Sequence, residues 1–109
     1  MTVGEWLRTR SPQPPSALSA RLEAVLGDAL SELAECIPDI FLSAGERVVA
    51  ELIRCNSTSR DSALDLLTAD AFVTYAFEAG SDQTASIDAR TGAAMTRIAA
   101  LGVATPVPA

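Results

Sequence analysis

Between Asp61 and Ala79 the chain reads DSALDLLTADAFVTYAFEA, a helical pattern whose apolar residues occupy two faces rather than one. At about 100° per residue, Leu64, Leu67, Ala71 and Tyr75 share one side, and Leu66, Val73 and Phe77 share almost the opposite side. A helix that is apolar on two sides must be covered on both, so this segment is expected at the centre of a helical fold. Asp70 stands in the middle of the second stripe, where an acid is least at home.

The rest of the chain agrees with an all-α protein. Aromatic residues make up 5% of the sequence, strand-like alternation is nearly absent, and Ala, Leu, Val and Ile supply most of its 49% hydrophobic content. A length of 109 residues suffices for one core but not for two, so 1–102 reads as a single helical domain.

Boundary signals divide it. Thr2 and Glu5 have capping-box spacing and open a short helix over about 3–10, which carries Trp6 and Leu7 and is closed by Ser11-Pro12-Gln13-Pro14-Pro15. From Ser16 to about Cys36 a stripe of Leu18, Leu22, Val25, Leu26, Leu30 and Leu33 predicts a long helix (16–36), with Gly27 lying off the stripe. Pro38 forces a break, and a second helix follows over 39–55. In that helix Gly45 occupies the centre of the apolar face, a notch where a neighbour can approach closely.

Asn56-Ser57-Thr58-Ser59 is a turn, with Thr58 and Asp61 spaced to cap the central helix (59–79). Gly80 is expected to end that helix as a left-handed cap, and a last helix over 83–101 follows. Residues 103–109, with two prolines, read as a disordered tail. Short connections then predict an antiparallel four-helix bundle (16–36, 39–55, 59–79, 83–101) behind a short N-terminal helix.

Charge and composition exclude several functions. The net charge is −6 and all eight basic residues are scattered arginines, so no patch exists to neutralise a phosphate backbone, and nucleic acid is not an expected partner. No apolar run approaches the roughly 20 residues of a membrane span. Glu5 stands where a secretion signal places positive charge, which makes a cytoplasmic location the expectation.

Catalytic constellations are poorly represented. There is no His and no Lys, hence no imidazole base, no Glu-x-x-His metal pair and no Gly-x-Ser-x-Gly elbow. Asp61 with Asp65, and Asp28 with Glu32 and Glu35, share helix faces but read as solvated acids rather than ligands. Asp65 and Asp70 diverge by about 140° around a helix and cannot face one substrate. Cys36 closes one expected helix and Cys55 the next, which puts them roughly 25 Å apart if the two pair antiparallel, too far to bridge, and both read as small buried hydrophobes. The expectation is a non-enzymatic protein with no metal and no cofactor.

Three readings fit Asp70: solvated at the edge of its stripe, buried against Arg47 or Arg97, or held at an interface through a cross-chain ion pair. Trp6, with Leu7 beside it, either closes one end of the core or anchors a detachable arm on another protein. The leading functional expectation is a small protein–protein interaction module, an adaptor or accessory subunit that pairs with another protein or with itself. Its interaction positions would be Asp70, Leu66, Val73 and Phe77, with Trp6 and Leu7. The alternative is a sensory bundle holding a small apolar ligand in a pocket bordered by Phe41, Phe72, Tyr75 and Phe77. A carboxylate-metal enzyme is a distant third.

Overall fold

The computed structural model describes residues 1–56 and 59–104, all of them helical or in connecting turns apart from an isolated bridge between Thr2 and Leu33. Four α-helices follow in order: α1 (Val3–Arg8), α2 (Ser16–Leu26), α3 (Ile37–Cys55) and α4 (Arg60–Ala104), with two 3-10 turns between α2 and α3. Ser57 and Thr58, and with them the expected Thr58 cap, lie outside the described residues, as does the tail from 105 onward.

The expected caps at the N-terminus are present. The Thr2 hydroxyl accepts from the Glu5 backbone N–H at 3.2 Å and lies 3.3 Å from the Glu5 carboxylate. At the other end of α1 the Gln13 side chain donates to the carbonyls of Leu7 and Arg8 at 3.0 and 3.1 Å, satisfying acceptors that the helix end leaves open. Pro38 sits in the first turn of α3, where its missing N–H costs nothing.

Two boundaries differ from the sequence expectation. The helix expected over 16–36 stops at Leu26, because Gly27 adopts φ 52°, a conformation that side-chain-bearing residues rarely take. The chain then runs through 3-10 turns to a stretch that pairs with the N-terminus: Val3 N–H donates to Glu32 C=O at 2.8 Å and Ala34 N–H to Met1 C=O at 3.0 Å. Leu33, assigned to the core stripe, is consequently exposed.

The second difference is larger. The helices expected over 59–79 and 83–101 are one continuous helix, so the last element does not fold back as a fourth bundle member. Gly80 continues α4 instead of capping it. A mid-helix glycine costs about 1 kcal/mol relative to Ala, whereas ending a helix strands several backbone acceptors that need new partners. No proline intervenes between Pro38 and Pro106 to force the break. Gly80→Ala is therefore expected to raise the unfolding free energy by about 1 kcal/mol, since nothing lies within 4 Å of the position its Cβ would take. A left-handed Gly80 would give the opposite sign, and urea denaturation followed by circular dichroism reads the difference.

The core lies between α1, α2, α3 and the first half of α4. Val3, Trp6, Leu22, Ile37, Phe41, Phe72, Ala76 and Ala79 form its centre. α3 and α4 run antiparallel: Gly45 faces Ala69, Phe72 and Val73, while Leu42, nearer the start of α3, shares a groove with Ala76 and Phe77. A Cβ at Gly45 would sit 3.5 Å from the Phe72 Cβ, so the glycine is the notch that lets these helices pack closely. Beyond Gln83, whose side chain donates to the Glu35 carbonyl at 2.9 Å, α4 leaves the core. It projects as a stalk of roughly 30 Å at 1.5 Å per residue, which gives the molecule its 77 Å long axis.

Candidate functional site

Side chains sort around α4 by position. Ala69, Phe72, Ala76 and Ala79 turn into the core, and Thr68 is buried with its hydroxyl donating to the Leu64 carbonyl at 2.8 Å. About a quarter turn away runs a second row with alternating steps of three and four residues: Leu66, Asp70, Val73, Phe77, Gly80, Thr84, Ile87, Thr91, Ala94 and Ile98. This row faces solvent. Phe77 is 68% exposed, Ile87 52% and Ile98 62%. The 3-4 spacing is that of a coiled-coil seam, and it passes through Gly80 without a change of register. The sequence showed this spacing, but dividing the segment at Gly80 hid it.

The N-terminal half of the seam has a neighbour of its own kind. Leu42, Val49 and Ile53 of α3 are exposed. Pro38, Leu42, Phe77, Gly80 and Thr84 line an open groove of about 560 Å³ where the seam leaves the core. Gly80 supplies no side chain to fill it.

Asp70 is exposed on this seam, and among the described residues no ion pair reaches it. The buried Arg-paired state is thus not the one observed. Arg47 lies across α3, lining a separate groove with Arg21, Glu51 and Asp65. Arg97 is on the same helix, about 40 Å further along at 1.5 Å per residue. Asp65, by contrast, is partnered: Arg21 of α2 donates to it at 2.6 Å and ties α2 to α4.

Trp6 and Leu7 belong to the core side. Trp6, 7% exposed, meets Phe41 and Tyr75 edge to face at centroid separations of 6.0 and 5.8 Å, and Phe41 meets Phe72 at 5.4 Å. Leu7 packs against the same cluster. The four residues of the ligand-pocket alternative are therefore divided: Phe41 and Phe72 are fully buried ring against ring with Tyr75 beside them, while Phe77 is on the seam. Burial, with the Glu78 carboxylate adding to it, raises the Tyr75 phenol above its ordinary value, and Arg10 partly offsets this.

Arg10 locks the aromatic cluster from outside. Its guanidinium lies 3.8 Å over the Trp6 ring, donates to the Trp6 carbonyl and pairs with Glu78 of α4. Arg10→Ala is expected to cost about 1–2 kcal/mol by urea denaturation, chiefly through the lost ring contact, because Glu78 is largely solvated. Arg10→Lys should recover little, lacking the planar group that covers the indole.

Both cysteines are free and exposed, not buried as their type suggested. Cys36 is the N-cap residue of α3 and Cys55 its last residue. The Cys55 thiol donates to the Glu51 carboxylate at 3.4 Å, and that bond raises its pKa and holds it protonated. Among the described residues no group of three His, Cys, Asp or Glu side chains is placed to hold a metal ion. No helix among them is long and apolar enough to cross a membrane.

Comparison of the chain with protein-family models, with curated proteins and with solved structures finds no match.

Proposed function

We propose that the protein is a non-enzymatic interaction module, an adaptor or accessory subunit, whose working surface is the α4 seam and whose ligand is another α-helix. The observation that carries this reading is the projecting half of α4, a helix that runs past the core with Ile87 and Ile98 of its 3-4 row exposed. An isolated helix of about 20 residues is marginal in water, and a regular apolar row along it is what a packed helix needs and a solvated one does not. The same row continues onto the body of the protein through Phe77, Val73 and Leu66, beside the exposed face of α3. Asp70 at one position of such a seam would fix register rather than add stability, the best-attested use of a polar seam residue. Two exposed free thiols suit a reducing, cytoplasmic setting.

Replacing Ile87 with a photoreactive benzoylphenylalanine tests the reading. Irradiation of the purified protein, and of cells producing it, is expected to yield a discrete polypeptide adduct from position 87. No adduct should form from position 93, which stands off the seam. Absence of any adduct from position 87 in both preparations would overturn the proposal.

A further inference from the structure

We infer that the helix received by this seam is α4 of a second copy, running antiparallel, so that each stalk covers the exposed helix face of its partner's body. The inference rests on the reading of the seam as a helix-docking surface and names its occupant. In heptad terms Asp70, Phe77 and Ile98 fall at a positions, and Leu66, Ile87 and Ala94 at d positions. Antiparallel helices layer a against d. A two-fold axis close to Asp82 then places Leu66 opposite the partner's Ile98, Asp70 opposite the partner's Ala94, and Phe77 opposite the partner's Ile87.

Charge selects this arrangement. Along the body half of α4, Asp65 is paired with Arg21, and Glu78 and Asp82 face Arg10, which leaves Asp70 as the uncompensated charge of the seam. The stalk carries Arg90 and Arg97, both exposed and flanking the seam immediately before Thr91 and Ile98, with Asp88 on the opposite flank just after Ile87. In the antiparallel layering Asp70 meets the small partner's Ala94, with the partner's Arg90 and the partner's Arg97 within about one turn to either side. A parallel pair would instead set Asp70 against the partner's Asp70, two like charges in an apolar seam.

Shape and extent agree. The axis falls beside the groove at Gly80, where the missing side chain lets the two helices approach most closely and the partner's Ile87 can lie against Phe77 and Leu42. The seam from Leu66 to Ile98 is about 50 Å long. Two such seams, widened by Leu42, Val49 and Ile53 of α3, approach the roughly 800 Å² per partner of a standard interface. The exchange is symmetric and closed, so it stops at two copies. It also supplies in trans the covering helix that a bundle lacks when α4 runs straight.

The test uses the full chain with Cys36→Ser and Cys55→Ser, both exposed positions. Sedimentation equilibrium is expected to show a dimer at micromolar concentration. Val73→Cys in one preparation and Thr91→Cys in another are then mixed and oxidised. The heterodisulfide between positions 73 and 91 is expected as the main product, since these two positions share an antiparallel layer and homodisulfides require a parallel one. Ile87→Glu should weaken the dimer about 100-fold, as loss of a central apolar anchor does, while the thermal transition of the body remains, because position 87 lies beyond the core. A monomer at about 100 µM, or a homodisulfide of the 73 variant as the main product, overturns the inference. A monomer that still gives a photo-adduct of another mass from position 87 removes only self-pairing. A chain giving neither dimer nor adduct removes the docking module as well.

Discussion

Phe72→Ala should cost about 3–5 kcal/mol, a large share of the stability of a domain of this size, which typically totals about 5–15 kcal/mol. Phe72 is fully buried, meets Phe41 ring to ring, and stands against Gly45 at the closest approach of α3 and α4. Because Gly45 offers no side chain to move into the space, the truncated site cannot collapse, which places the cost towards the upper end of the range. Urea denaturation followed by Trp6 fluorescence measures it directly, since Trp6 touches Phe41 in the same cluster. The neighbouring Phe77→Ala is the internal control. That ring is mostly in solvent, so the change should stay within about 0.5 kcal/mol for the isolated chain. Equal effects at the two positions, measured at a concentration where the chain is monomeric, would mean that α4 presents a different face to the core.

Trp6→Ala should be nearly as damaging, by about 3–5 kcal/mol. The indole closes the end of the core formed by Phe41 and Tyr75, and Arg10 covers its outer surface, so truncation opens the aromatic cluster and strands the guanidinium. An arm that merely docks elsewhere would lose its anchor without loss of global stability. Thermal unfolding followed by circular dichroism at 222 nm separates these outcomes, and a transition unmoved from that of the parent chain would return Trp6 to the status of an anchor for another protein. Gln13, within the proline-rich segment, reaches back to cap α1 before the chain turns into α2.

Periodicity placed Phe41 and Gly45 on the buried face of α3 but also put Leu42, Val49 and Ile53 there, which the structure exposes, and capping chemistry located α1 to within two residues. The candidate interaction row was half legible. Leu66, Val73 and Phe77 stood out as a second apolar face, and Asp70 as its anomaly. Their continuation through Ile87 to Ile98 is not legible when Gly80 is read as a helix terminator by its type alone. The aromatic residues shared by helical spacing looked like one pocket, yet spacing places residues on an element and not in contact. Phe72 and Phe77 are five residues apart, and that angle sends one into the core and the other into solvent.

Local chemistry in the sequence therefore determined that the chain is helical, where α1 and α3 begin, and which residues are apolar enough to form a core. Tertiary structure decided which glycine interrupts a helix. Gly27 takes its positive φ where the following strand-like pairing of Glu32 and Ala34 with the N-terminus turns the chain back. Gly80 stays helical, with Ala79 buried just before it and Gln83 anchored to Glu35 just after. Both residues have the same intrinsic preference, worth about 1 kcal/mol. The backbone hydrogen bonds available on either side of each, which no local pattern records, decide between them.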